Sequence, residues 1–220
     1  MFCTKCNEVI KPVVAIDIDG TLGNYIGHFT KHAQGYLGVE GLLPTTYDGS
    51  MGFKEWCCNS WGITEDVWSD IKLTYRQGAW KRTMPWYPGS DNACAEIRER
   101  AELWLTTTRP YLRHDNIDPD TREWLRRNNI KYDGLIYDEQ KYVQLSNIVG
   151  SNRVCAVLDD LAEEIAWASA IFGSFVPILR STPHNKRANV PSYTPKARDM
   201  YEALDLINAN IDKWEEQHAR

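Results

Sequence analysis

Asp17-Ile18-Asp19 places two carboxylates at the end of a short apolar run, Val13-Val14-Ala15-Ile16. In an extended chain, side chains two residues apart point the same way, so both acids can face one reacting group. A carboxylate such as Asp17 can accept a phosphoryl group as a mixed anhydride, which water then hydrolyses. The second carboxyl, Asp19, can protonate the leaving oxygen. A phosphate dianion repels a carboxylate, and a divalent hard cation held by carboxylate oxygens removes that repulsion. Asp159-Asp160, after the apolar run 154–158, supplies more such oxygens, so Asp17 and Asp159 can hold a metal from two chain segments. Lys141 and a hydroxyl from Thr106-Thr107-Thr108 can bind the remaining phosphoryl oxygens. Arg109 adds a fork that suits a phosphate bidentately. Each element has a plainer reading by itself. Three threonines suit a β-prone strand end, a lysine is often a surface residue, and Asp159-Asp160 can cap a following helix. Their joint order along the chain is what points to phosphoryl chemistry.

These residues need a scaffold that brings distant segments together. Residues 12–19 form a β-branched run bounded by Pro12 and Gly20, which reads as a buried strand. From residue 89 the pattern alternates. Ser90 or Asp91 can cap a helix bearing Ala93, Cys94, Ile97 and Ala101. Leu103-Trp104-Leu105 is a strand that runs into the threonines. Asp118-Pro119 marks a helix start carrying Trp124 and Leu125. Gly134–Tyr137 is a strand, and Lys141 opens a helix with Tyr142, Leu145 and Ile148. Residues 154–158 form a strand, Leu161, Ile165, Ala168 and Phe172 recur at helical spacing, and 175–179 form a strand. Ala197, Met200, Tyr201, Leu204, Ile207, Ile211 and Trp214 mark a last helix. The order implies a parallel sheet with helices on both faces, and ligands of such sheets collect at the carboxyl ends of the strands.

The composition is that of an ordinary globular chain: 43% hydrophobic and 25% charged among 220 residues. The net charge of −5 argues against a broad nucleic-acid surface. No apolar run approaches the roughly 18 residues of a membrane span, and the N-terminus lacks the apolar stretch of a signal peptide. The expected location is cytoplasmic. Of six cysteines, Cys94 and Cys155 fit a core, and Cys57-Cys58 fits aromatic packing. Cys3 and Cys6 have the spacing of half a zinc site, with no second pair to complete it. Six of nine tryptophans fall between Trp56 and Trp104; such rings fill a core or stack a planar ligand.

Asp17-Ile18-Asp19-Gly20-Thr21-Leu22 resembles the DxDGT signature of the haloacid dehalogenase-like (HAD) superfamily of phosphatases. The resemblance implies that Asp17 is the nucleophile and Asp19 the acid/base. It also implies a Mg2+ ion bound by Asp17, the backbone carbonyl of Asp19, Asp159 and Asp160. Thr107 matches the second motif, Lys141 the third and Asp159-Asp160 the fourth, so the motifs span most of the chain. The implied fold is α/β, a Rossmann-like parallel sheet flanked by helices with a small helical cap insert. The core then comprises residues 1–23 and 88–220, and the insert 24–87.

Gly78-Ala79-Trp80 and Met84-Pro85-Trp86-Tyr87-Pro88-Gly89 are similar to the 5′(3′)-deoxyribonucleotidase branch. Ile178–Asn185, with its His184-Asn185 pair, is similar to that branch's last strand. This implies a nucleotide substrate and Trp80 stacking a base; the expected phosphate contacts are Thr107, Thr108, Lys141 and Arg109. Thr106–Pro110 departs from the branch's Thr-Ser-Pro and is similar instead to polynucleotide 3′-phosphatases, which would act on nucleic-acid 3′ ends. No kinase P-loop accompanies it. A third reading is a non-catalytic binding or scaffold module, against which the intact acidic set argues. Apolar helix faces allow a homodimer.

Overall fold

The structure, a computed structural model, describes residues 10–42, 47–110 and 116–218. Cys3 and Cys6 lie outside the described residues. Six parallel strands form one sheet in the order β3-β2-β1-β4-β5-β6. They are β1 (Val13–Asp17), β2 (Glu102–Thr107), β3 (Gly134–Tyr137), β4 (Val154–Asp159), β5 (Pro177–Arg180) and β6 (Lys196–Ala197). The chain runs outward through β2 and β3, then crosses back to β4 beside β1. The order reverses between β1 and β4, which sets Asp17 and Asp159 at the switch point where such sheets bind ligands.

Alternate residues of β1 serve opposite faces, as strand geometry requires. Val14 and Ile16 join a core with α4 (Ser90–Arg100), α5 (Ile117–Arg127) and α8 (Met200–His218). Val13 and Ala15 join a second core with α6 (Lys141–Val149) and α7 (Ala162–Phe172). Every side chain of Val13–Ile16 is fully buried, which explains the unbroken apolar run. Cys94 and Cys155 are buried free thiols in the first core, pushed up to about 12 by burial.

Several element edges differ from the sequence reading, each for a local reason. Gly89, in the left-handed conformation at φ 84°, caps α4. Ser90 is instead buried in the helix's first turn, its hydroxyl donating to the Leu22 carbonyl. α5 starts at Ile117 behind Asn116, so Asp118 and Pro119 both sit in the first turn, where a missing N–H is harmless. β5 begins at Pro177, leaving Phe175 on the surface. Ala197 belongs to β6 and α8 begins at Met200; Tyr201 and Ile148 face solvent and leave the buried stripes. Leu161 is likewise exposed, ahead of α7.

Between β1 and α4 lie α1 (Tyr25–Leu37), α2 (Phe53–Trp61), α3 (Glu65–Gln77) and a 3-10 turn, Trp80–Thr83. The helical pattern read over 53–76 is two helices, separated where Gly62 turns the chain at φ 65°. These helices build their own small cores. One centres on Phe29, Ile71 and Tyr75, the other on Tyr47, Trp56, Cys57 and Trp68. The clustered tryptophans at 56, 61 and 68 are therefore mostly packing. The chain leaves and re-enters the sheet region side by side: Asn24 N–H donates to Pro85 O (2.7 Å) and Tyr87 N–H to Leu22 O (2.8 Å). The fully buried Trp124 of α5 secures this seam, its indole N–H donating to Met84 O at 2.6 Å. Among the described residues no helix is long and apolar enough to cross a membrane.

Candidate active site and metal centre

The ends of β1 and β4 bring three carboxylates together. Asp17, Asp159 and Asp160 are all buried, and one oxygen from each lies within 4.8 Å of the others. Hard oxygen donors in this number suit Mg2+ better than a softer metal, so the residues present fit the cation that the sequence implies. The Asp19 carboxylate is not part of this cluster; its side chain turns toward α1–α3. The tight turn after it needs Gly20, at φ 103°, because a Cβ there would run into the Asp160 carboxylate.

Asp160 is fixed from three sides. Thr21 Oγ1 donates to it at 2.9 Å, His184 Nε2 sits against its other oxygen, and Asn185 Nδ2 donates to its backbone carbonyl at 2.8 Å. The His184-Asn185 pair thus supports the acidic cluster rather than standing apart from it. Asp159 accepts from the Tyr142 hydroxyl at 2.5 Å and from Leu161 N–H at 2.9 Å. Tyr142, carried by α6, is a neighbour of the acids that the sequence pattern marks only as a helix position.

Lys141 opens α6 and lies between two acids, 2.5 Å from Asp17 Oδ1 and 2.7 Å from Asp159 Oδ2. Burial alone would depress this ammonium, but Asp159 and Asp17 outweigh burial and hold its pKa well above the ordinary lysine value. Burial raises Asp17 well above the usual carboxylate range; Lys141 opposes the shift, and Asp159 and Asp160 add to it. Three acids against one lysine leave a negative excess that a divalent cation would offset.

Asp19 has the opposite surroundings. Arg109 grips it with two nitrogens, Nε at 2.9 Å and Nη2 at 2.5 Å, and Lys81 forms a further ion pair. Burial would raise this carboxyl, yet Arg109 and Lys81 outweigh it and hold Asp19 well below the carboxylate range. Arg109 also donates to Thr121 Oγ1 at 2.6 Å, so its fork is turned onto Asp19 and α5. The Thr107 hydroxyl is buried at the end of β2 and accepts from Arg109 N–H at 3.3 Å. Thr106 Oγ1 is buried without a hydrogen-bond partner among the described residues. Thr108 is exposed and lines the cleft described next.

A cleft of about 220 Å³ opens between the strand ends and α1–α3. Asp19, Asp160, Thr108 and Arg109 line its floor, and Tyr25, Tyr47, Phe53 and Tyr75 supply rings. Trp80 is not among the lining residues. Its ring packs edge-on against His32 (centroids 4.8 Å apart) and tilted on His28 (5.7 Å). The next residue, Lys81, points at Asp19 instead, because successive residues of a turn project to different sides. Sequence reasoning missed Lys81, Lys72 and Arg76, which also line the cleft. The helical spacing of Lys72 and Arg76 was a usable signal, since residues four apart share a helix face.

No family model matches the chain, and no curated protein matches it. Solved structures do. A haloacid dehalogenase-like family hydrolase from Streptococcus pneumoniae aligns at 16% identity and a TM-score of 0.61, covering 89% of this chain and 97% of its own. A HAD family hydrolase from Deinococcus radiodurans, with bound phosphate and sodium, aligns at 14% and 0.62, covering 93% and 98%. A HAD-type hydrolase from Bacillus subtilis, bound to magnesium, aligns at 10% and 0.58, covering 91% and 100%. The parallel six-stranded sheet, its flanking helices and these alignments establish that the chain has the fold of the haloacid dehalogenase-like hydrolases.

Proposed function

We propose that this chain is a Mg2+-dependent phosphomonoesterase that works through an aspartyl-phosphate on Asp17. The observation that carries the reading is the buried cluster of Asp17, Asp159 and Asp160 at the strand-order switch, with Lys141 between Asp17 and Asp159. Asp17, Asp159, Asp160 and the backbone carbonyl of Asp19 would hold the cation, which would offset the charge between nucleophile and phosphate. An Asp17 oxygen attacks phosphorus as the ester P–O bond breaks, and the leaving oxygen takes a proton from Asp19. Water then attacks the acyl phosphate, gives its proton back to Asp19, and releases inorganic phosphate. Lys141, Thr107 and Thr108 bind the phosphoryl oxygens. Arg109 and Lys81 hold the Asp19 pKa well below the carboxylate range, which favours its ionised form. To donate a proton it must share those cations with the anionic groups of the entering substrate.

The insert, residues 24–87, acts in this reading as a cap that limits the cleft to small esters, and the aromatic rings of the cleft suit a planar base. (Deoxy)nucleoside monophosphates are therefore the proposed class. The cleft's modest volume argues against a polynucleotide end. The phosphate-bound and magnesium-bound structural neighbours support the chemistry without fixing the substrate. A panel of nucleotides, sugar phosphates and a 3′-phosphorylated oligonucleotide, assayed with Mg2+ and with EDTA, tests this. Magnesium-dependent release fastest from mononucleotides supports it. Release that persists in EDTA or in Asp17→Asn rejects the mechanism, and a preference for the oligonucleotide rejects the substrate class.

A further inference from the structure

A second cavity, of about 170 Å³, lies between α6 and α7, away from the cleft. Tyr142 and Val143 of α6 and Glu164, Trp167 and Ile171 of α7 line it. Its charged lining residues are both acidic, Glu139 and Glu164. Glu139 is already engaged with the rest of the chain. Glu164 differs: among the described residues it accepts no hydrogen bond and forms no ion pair, although it is half-buried. Burial, opposed by Lys141, pushes its pKa up to about 7, and Lys141 is itself turned onto Asp17 and Asp159. A carboxylate drawn out of water without a donor is unfavourable until a positive group shares it. The first-turn position of Glu164 suits the helix dipole, which accounts for an acid there but not for what surrounds it. Three residues on, Trp167 shares its helix face. That ring is 64% exposed, while Ile165 and Ala168 beside it are fully buried. An indole attracts cations through its ring face, and Val143 and Ile171 add apolar wall. Unshared carboxylate, exposed indole and apolar wall together are the parts of a site for a cation on an organic stem.

We propose that the cavity between α6 and α7 binds a small organic cation, an ammonium or guanidinium on a short apolar stem, with its charge against Glu164 and its stem against Trp167, Val143 and Ile171. The site goes beyond the phosphomonoesterase reading and does not depend on it. Its size selects a small molecule: a cavity of about 150 Å³ is enough for benzene, so one ring or a short chain fills this one. Tyr142 is the partition between the two sites. It lines the cavity, and its hydroxyl donates to Asp159 at 2.5 Å, so the cation would sit one side chain behind the acidic cluster.

The test is an NMR titration of the full chain, in Mg2+, with benzylamine and benzyl alcohol, two probes of the same shape that differ in charge. At about pH 8, above the Glu164 pKa, that carboxylate is ionised. The ammonium should bind about tenfold tighter than the alcohol, the gain expected of a charge-assisted contact. Glu164→Gln should remove that advantage and leave the alcohol unchanged. Trp167→Leu should weaken both probes severalfold. Both side chains reach the solvent side of α7, and a thermal melt confirms that each variant is folded. The acidic cluster is the competing destination for an amine, and Glu164→Gln separates the two. An ammonium advantage that survives Glu164→Gln, affinities indifferent to Trp167→Leu, or no binding of benzylamine at millimolar concentration overturns the site. Phosphatase assays are not needed for any of these outcomes, so failure of the phosphomonoesterase reading leaves the comparison intact.

Discussion

The two sides of the cleft handle charge in opposite ways. On the sheet side three carboxylates cluster, with Lys141 between two of them, Asp17 and Asp159. On the α1–α3 side the carboxylate of Asp19 is gripped by Arg109 and Lys81, and Lys72 and Arg76 line the same cleft. Asp17, Asp159, Lys141, Lys81 and Arg109 are buried, so their interactions are screened less than on a surface. The acidic cluster is complementary to a divalent cation, whereas Asp19 already has its cations. The contrast also explains why two aspartates two residues apart differ so much. Asp17 is pushed up, by burial and its acidic neighbours, while Asp19 is held down, by Arg109 and Lys81. The different pKa directions support a division of labour between them.

The comparison breaks most sharply at Asp17. Asp17→Asn should lower magnesium-dependent phosphatase activity by at least about 1,000-fold, as expected for removal of a nucleophile; steady-state assays on an aryl phosphate check it. Lys141→Met leaves buried carboxylates uncompensated and removes a phosphoryl contact, so turnover should fall by about 100-fold. The matching change on the other side, Lys81→Met, should cost about tenfold. It should also shift the pH–rate profile, because loss of one of two cations raises the Asp19 pKa and moves the basic limb upward. Equal effects of the two lysine variants, with no shift of profile, would erase the distinction between the sides.

Cation binding gives a smaller readout that does not depend on turnover. Adding Mg2+ should raise the melting temperature of the wild-type protein by a few degrees through mass action. Asp159→Asn should lose most of that rise, whereas Lys72→Met should keep it. The smallest effect concerns the insert alone. Burial, with Lys81 next in weight, pushes His28 down to about 4, and its Nδ1 lies 2.9 Å from the Tyr75 hydroxyl. The unfolded chain takes up this proton near pH 6.5 and the folded one does so only near 4, so stability is full above 6.5 and is lost as pH falls through that window. His28→Gln should reduce the drop in melting temperature between pH 7 and 4.5; an unchanged drop would mean that His28 carries none of it.

Much of this arrangement was readable in advance. The strand series, the helices between strands and the position of the acids at strand ends follow from local periodicity, which is strong when one face of each element is buried. Phe175, Ile148 and Tyr201 are apolar and fit the pattern, yet Phe175 lies ahead of β5 and the other two project from their helices to solvent. Trp80 illustrates the harder case. Its type suits stacking, but whether an aromatic ring faces a cleft or a neighbour depends on the turn that carries it, and here the ring meets His28 and His32.

Local pattern marks out the sheet, its flanking helices and the acids Asp17, Asp159 and Asp160 with Lys141, because each sits at a fixed position relative to a strongly patterned element. How Asp19 is held, and that Lys81, Lys72 and Arg76 share its cleft, emerges from the folded chain alone. Those residues lie some fifty to ninety positions from Asp19 in the chain, as does Arg109. Charge acts through space with little regard for sequence distance, so no local pattern could announce which cations would surround which acid.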